Sequence, residues 1–395
     1  MSKAQTRQFW TKIHRWLGLA AFVFLFIAGV TGSILCFDHR IDAALNGDLF
    51  YRPSSGPAMQ PAALADKFEA GHPDLVVTQF PLNLKPWENL KLEVQSRSPN
   101  AKPDFDEAFL DPSSGQVVGT RLTEPGWGRR HIVQAIFQLH QNLLGGTVGR
   151  WVMGIAALAW LISNFVGLYL TLPAKKPFWP KWKKKWKIDL AAKLRRFMLE
   201  LHNASGLWLL ILASVLAYTS VAMNFFDEAF VPVMQAVSPA KQTMFDATPK
   251  QLASAPRISF AAALPLGITA AKKEGLNWQP ALERFNPQYG AYGVTFTDNG
   301  IENYHLLGPV TYYIDGQTGR LVDRDDPYHD SLGRKLTRSL YPLHSGDVAG
   351  WLGIGIIFLL GLATAEMCVT GFYTWWKKRE SRKPTPRRAT STSRA

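Results

Sequence analysis

Four mostly apolar runs, Trp16–Phe37, Trp151–Leu172, Leu207–Phe226 and Trp351–Trp376, each supply about 20 positions, enough for a helix to cross a hydrocarbon layer of ~30 Å. They predict an integral membrane protein with four transmembrane helices. The mean hydropathy is only −0.06 because two long polar loops dilute these runs. The first run is too long for the h-region of a secretory signal, usually about 7–15 residues, and reads as an uncleaved anchor.

The net charge of +14 would suit a nucleic-acid binder, so its location decides. Residues 1–15, residues 173–200 and the tail from Lys377 together hold 22 of the 44 basic residues and only three acids. The rest of the chain is net acidic. Basic charge beside span ends on one side is the positive-inside pattern, not a groove for phosphates. Both termini and the middle loop are therefore expected in the cytoplasm and the two long loops outside, with no nucleic-acid partner. Trp179, Trp182 and Trp186 interleave with lysines in the middle loop, as in a segment lying on lipid headgroups.

Each span carries a histidine at or before its start, and the arrangement is doubled. His14 and His202 open the first and third spans as His-x-x-x-Gly-Leu; His140 and His344 precede the second and fourth, each in Leu-His. The halves match more widely. His14 and Gly18 map to His202 and Gly206 at an offset of 188, while Asp111, Gly115, Arg130, His140, Gly167 and Tyr169 find mates at 204. Two parallel helix–outside domain–helix repeats, related by an axis along the membrane normal, would bring His14 to His202 and His140 to His344, one pair in each leaflet. Facing imidazoles suit the axial positions of haem iron, and intramembrane histidines demand an account. The plainer reading, snorkelling to headgroups, explains one such histidine better than four matched ones.

The organisation expected is residues 1–38, cytoplasmic N-terminus and first span; 39–139, outside domain; 140–173, ligand segment and second span; 174–200, basic loop; 201–226, third span; 227–343, second outside domain; 344–376, ligand segment and fourth span; 377–395, disordered basic tail. The outside domains read as small separate α+β modules: helical spacing at Pro61–Ala70 and Phe260–Glu274, strands at Leu90–Val94 and Tyr292–Phe296, and hairpins at Ala108–Val118 and Val310–Val322. The Asp-x-x-x-Gly of each hairpin is turn chemistry rather than a metal site. Cys36 and Cys368 fall in opposite halves of the membrane, too far apart for a disulfide, and no C-x-x-C-H for covalent haem is present.

His-x-x-x-Gly-Leu opening a span, the Asp-x-x-x-Gly-x-Val hairpin and Leu-His before the next span resemble the PepSY-associated transmembrane proteins of bacteria. Within that group the chain is similar to haem-containing, ferrioxamine-type siderophore reductases of the inner membrane, over nearly its whole length to about Lys378. The resemblance implies two b-type haems and reduction of ferric siderophore iron on the periplasmic side, which makes the protein an oxidoreductase of iron uptake.

His14, His202, His140 and His344 are thus the expected axial ligands. Arg130 and Arg334, matched at the repeat offset, are candidates for the propionates of the outer haem; Arg15, Arg195 and Arg196 could serve the inner one; headgroup contact competes for each. His39 is a reserve ligand or a surface group. His131 has Lys335 as its mate and is not expected to ligate, and His72, His305 and His329 read as surface residues. Glu366, the single acid deep in a span, could take a proton from a quinol, hydrogen-bond near the inner haem or simply bond a neighbouring helix in protonated form. The electron donor expected is a quinol or a cytoplasmic reductase, the other partners membrane lipids and a ferric hydroxamate. Two other classes compete: a permease subunit, disfavoured by only four spans and no helix broken by mid-membrane glycine or proline, and a non-redox protein restraining peptidases.

Overall fold

The computed structural model describes residues 2–51, 56–98, 100–249 and 256–381. In chain order, a long helix α1 (Lys3–Leu35) leads through the short α2 (Asp38–Leu45) and α3 (Gly47–Phe50) to α4 (Pro61–Gly71) and strands β1 (Leu75–Pro81), β2 (Leu90–Ser96), β3 (Glu107–Leu110) and β4 (Val117–Arg121). Helices α5 (Ile132–Asn142), α6 (Gly146–Thr171), α7 (Phe178–Lys183), α8 (Leu194–Trp208), α9 (Leu210–Asn224) and α10 (Val231–Val237) follow. The same order then recurs: α11 (Phe260–Lys273), β5 (Gln279–Asn286), β6 (Ala291–Thr297), β7 (Val310–Asp315), β8 (Leu321–Asp325), α12 (Leu332–Ser345) and α13 (Gly350–Glu380).

Among the described residues, three helices are long and apolar enough to cross a membrane, around α1, α6 and α13, and α8 with α9 makes a fourth if that pair is one span. The pair is bent by 73° about Leu209. The sequence predicts no helix broken by mid-membrane glycine or proline; the bend here falls at Trp208, Leu209 and Leu210, which include neither. Helix α13 also runs four residues past Trp376 to Glu380, so the tail is helical at its start; from residue 382 onward it lies outside the described residues.

Small residues bring α1 and α13 together. A Cβ on Gly29 would come within 2.6 Å of the Gly361 carbonyl oxygen, and one on Gly361 within 2.7 Å of the Gly29 oxygen. Ser33 beside them donates its hydroxyl to the Phe358 carbonyl at 2.9 Å. In lipid, where apolar surface gives helices no preference for each other, such close backbone approach and interhelical hydrogen bonds hold the pair.

The two loops do not form separate modules. They build one antiparallel sheet of eight strands in the order β4-β3-β2-β1-β5-β6-β7-β8, with β1 and β5 pairing at the centre: Gln79 opposite Arg284, Phe80 opposite Glu283, Pro81 opposite Leu282. Helices α4 and α11 cover one face, burying Leu64, Ala65 and Phe68 with Phe260 and Ala263 against Phe80, Leu92 and Tyr292. Asp66 of α4 accepts the Phe260 and Ala261 N–H groups at 2.9 and 3.1 Å, so one half caps the first turn of the other half's helix. The hairpin turns are as expected. Asp111 accepts the Ser113 N–H and Asp315 the Thr318 N–H, with Gly115 and Gly319 at φ of 70° and 72°.

Candidate functional site: two pairs of facing histidines

His140 and His344 do not sit on the spans they precede. Leu143 and Leu144, both at positive φ, separate α5 from α6, and Gly346 at φ 88° separates α12 from α13. Because the chain breaks there, α5 folds back on α1 and α12 on α9. His140 Nδ1 donates to the Ala28 carbonyl at 3.1 Å and meets the Thr31 hydroxyl at 3.1 Å. His344 Nδ1 meets the Thr219 hydroxyl at 3.1 Å; that hydroxyl donates to the Leu216 carbonyl and is left to accept from the imidazole. Their ring centres lie 6.2 Å apart, with planes crossed at 64°.

His14 and His202 repeat the arrangement. His14, on α1, meets Ser163 Oγ of α6 through Nδ1 at 2.8 Å. His202, on α8, directs Nδ1 to the Met367 carbonyl and the Thr370 hydroxyl of α13, each at 3.1 Å. The ring centres are 6.3 Å apart at 65°. Glycines make room for three of the four rings: a Cβ on Gly167 would come within 3.2 Å of His14, on Gly371 within 3.2 Å of His202, and on Gly32 within 2.9 Å of His140.

Every one of the four rings thus has its Nδ1 side engaged, which leaves Nε2 as the nitrogen available to a metal. Two imidazoles binding one metal in line, with metal–nitrogen bonds of ~2 Å, hold their ring centres roughly 6 Å apart. Both pairs have that spacing. Between His14 and His202 lies a cavity of about 510 Å³ bounded by α1, α6, α8 and α13, mostly apolar, with a volume suited to an organic cofactor. The two pairs stand at different depths: His140 meets α1 at Ala28, fourteen residues beyond His14, or ~21 Å of helix rise.

The other candidates are distributed less simply. Arg15 and Arg195 line the cavity, but Arg196 does not; it pairs with Glu200 at 2.7 Å and Asp189 at 3.4 Å. Arg130 pairs with Asp48 at 2.7 Å and Arg334 with Asp325 at 2.8 Å, yet each keeps one buried nitrogen, Arg130 Nη1 and Arg334 Nε, without a partner among the described residues. His39 is exposed on α2, and no contact among the described residues brings it to either pair. His131 caps α5 and bonds the Glu124 carbonyl at 3.0 Å. The Glu366 carboxyl lies beside Ser205 and one turn before Thr370, with its Oε1 buried and without a hydrogen bond among the described residues. Asp323, Asp325, Asp326, His329 and Asp330 crowd one stretch of chain, as ligands of a hard cation could, but the acids there are engaged: Asp325 holds Arg334, and Asp326 holds Arg324 and His329. Sequence reasoning missed Thr31 and Thr219, although their spacing of 188 equals that of His14 and His202 and hydroxyls inside apolar runs were a signal.

Spanning helices, a sheet-rich portion and paired histidines between helices define a membrane protein with α+β structure beside its spans. The profile of the PepSY-associated TM region matches residues 11–378, and the chain belongs to that family. A search of curated proteins found none that matches it.

Proposed function

We propose that this protein is a membrane reductase that holds two b-type haems, one between His14 and His202 and one between His140 and His344. It would pass electrons across the bacterial inner membrane to the iron of a ferric hydroxamate siderophore. The observation that carries the reading is the ring-centre spacing, 6.3 Å in one pair and 6.2 Å in the other, with the Nδ1 side of every ring engaged. Haem bound there would supply one-electron transfer at a potential set by its axial ligands and burial.

The chain's own part is positional. Ser163, Thr31 and Thr219 fix ring orientation and tautomer, and Gly167, Gly371 and Gly32 leave the rings their places. Arg130 and Arg334 each have a buried nitrogen left for a propionate of the second haem. Basic charge at the ends of α1 and α13 and around α7 supports a cytoplasmic position for that side by the positive-inside rule, with the sheet in the periplasm. A quinol or a cytoplasmic reductase would deliver electrons to the His14–His202 side. The substrate class comes from the resemblance to siderophore reductases. Reduction frees the metal because Fe(II), with less charge and a softer character, is held more weakly by hydroxamate oxygens.

The test is a reduced-minus-oxidised spectrum of the purified protein, with b-type bands equivalent to two haems expected. His140→Ala or His344→Ala should remove one haem's absorbance and stop ferric-chelate reduction, and His39→Ala should leave both bands. A folded but colourless protein would refute the proposal and favour a permease subunit or a peptidase-restraining protein.

A further inference from the structure

Three cations line the cavity that contains His14 and His202: Arg15 on α1, Arg195 on α8 and Lys378 on α13. Among the described residues, no aspartate or glutamate lines it. Neighbouring cations are neutralised, Arg196 by Asp189 and Glu200 and Lys377 by Glu380. Among the described residues, the side chains of Arg15, Arg195 and Lys378 have no hydrogen-bond or ion-pair partner; the bond that Lys378 makes is from the Ser381 hydroxyl to its backbone carbonyl.

Their placement is one-sided. Arg195 stands seven residues before His202, and Lys378 seven residues after Gly371, which packs on the His202 ring. Helices α8 and α13 run in opposite senses here, so both cations sit ~10 Å of helix rise from the imidazoles toward the same end. Arg15 follows His14 directly. The other end of the cavity, at Leu25, Trp160 and Thr364, carries no charge. An apolar cavity with two unpaired cations toward one end, a third level with the imidazoles and none at the other end suits a flat, mostly apolar ligand whose acidic groups project from a single edge.

We propose that Arg15, Arg195 and Lys378 hold the two propionate carboxylates of the haem bound between His14 and His202, turning its anionic edge toward the basic end of the bundle. This assignment rests on the haem reading above and adds the orientation of the ring. Guanidinium groups meet carboxylates through paired, charge-assisted hydrogen bonds, and the ammonium of Lys378 adds a point charge.

The experiment uses the full-length protein carrying His344→Ala, with His140→Ala as a second background, so that only the His14–His202 site is read. The haem-free protein in lipid nanodiscs is titrated with haemin or with haemin dimethyl ester, whose propionates are uncharged, and binding is followed by Soret absorbance. The ester is expected to bind at least about tenfold more weakly than the free acid. Adding Arg15→Gln, Arg195→Gln and Lys378→Gln should weaken the acid to the level of the ester. Equal affinity for acid and ester in the chain with all three cations would overturn the assignment, leaving these side chains to lipid headgroups while the haem reading stands. Binding of neither form would overturn the haem reading and this assignment together.

Discussion

His344 and His140 face the same ring distance with unequal support. Among the described residues, His344 Nδ1 has only the Thr219 hydroxyl, whereas His140 Nδ1 has the Thr31 hydroxyl and the Ala28 carbonyl. Hydrogen bonds to the second nitrogen of a ligating histidine are commonly worth ~10–100-fold in metal-site affinity or activity. Thr219→Val keeps the shape of this fully buried residue and removes that bond. Haem retention at the His140–His344 site should fall by about 10-fold or more in Thr219→Val and far less in Thr31→Val, measured as transfer to a haem-scavenging apoprotein. Equal losses would refute this difference in support, and no loss in either variant would mean that the hydroxyls do not orient the rings. The histidines were legible in the sequence as a doubled pattern. Their hydroxyl partners were not sought, since single Ser and Thr residues in apolar runs commonly bond back to their own helix, as Thr31 also does to the Ile27 carbonyl at 2.7 Å.

Helices α1 and α13 meet where side chains are absent. Gly361→Leu would drive a branched chain into Ser33 and the Gly29 backbone, and helix backbones cannot yield as a flexible side chain does. The expected cost is about 1–3 kcal/mol, read as a lower thermal midpoint in detergent, with Gly361→Ala intermediate. An unchanged midpoint in both variants would show that this crossing is not tightly packed. The limits of the spans were readable to within a few residues at most ends, but α1 begins far before Trp16 and the break at Leu209 was not foreseen. Neither glycine nor proline marks that break, so local propensity gave no warning. The same is true of α5: Leu143 and Leu144 take a left-handed backbone that no sequence rule assigns to leucine.

Across the whole molecule the central pairing of β1 with β5 decides the shape outside the spans. Its seam contains Glu283, fully buried, with both carboxylate oxygens lacking a partner among the described residues. Burial, with the Asp66 carboxylate nearby, pushes its pKa up to about 9. The folded chain therefore holds this proton more tightly than the unfolded chain, and stability falls as pH rises from the ordinary glutamate range, about 4.3, toward 9. Glu283→Leu should remove that slope and stabilise the protein by on the order of a few kcal/mol at pH 8, with little gain at pH 4. Chemical denaturation of the full chain across pH 5–9 checks it; parallel pH profiles for the two proteins would refute the assignment. Strands β1 and β5 had no clear sequence signal, although both form the seam.

Apolar runs, the location of basic charge and the doubled histidines are local or periodic properties, and they alone determined a membrane protein with two internal matches and four candidate ligands. The partners that hold each imidazole by its Nδ1, the pairing of Arg130 and Arg334 with Asp48 and Asp325, and the fusion of two expected modules into one sheet were decided by tertiary structure. Each depends on contacts between residues scores of positions apart or more, or on an acid at hand to claim a cation. A strand edge is completed by whichever other edge the fold brings beside it, and no period in the chain records that choice.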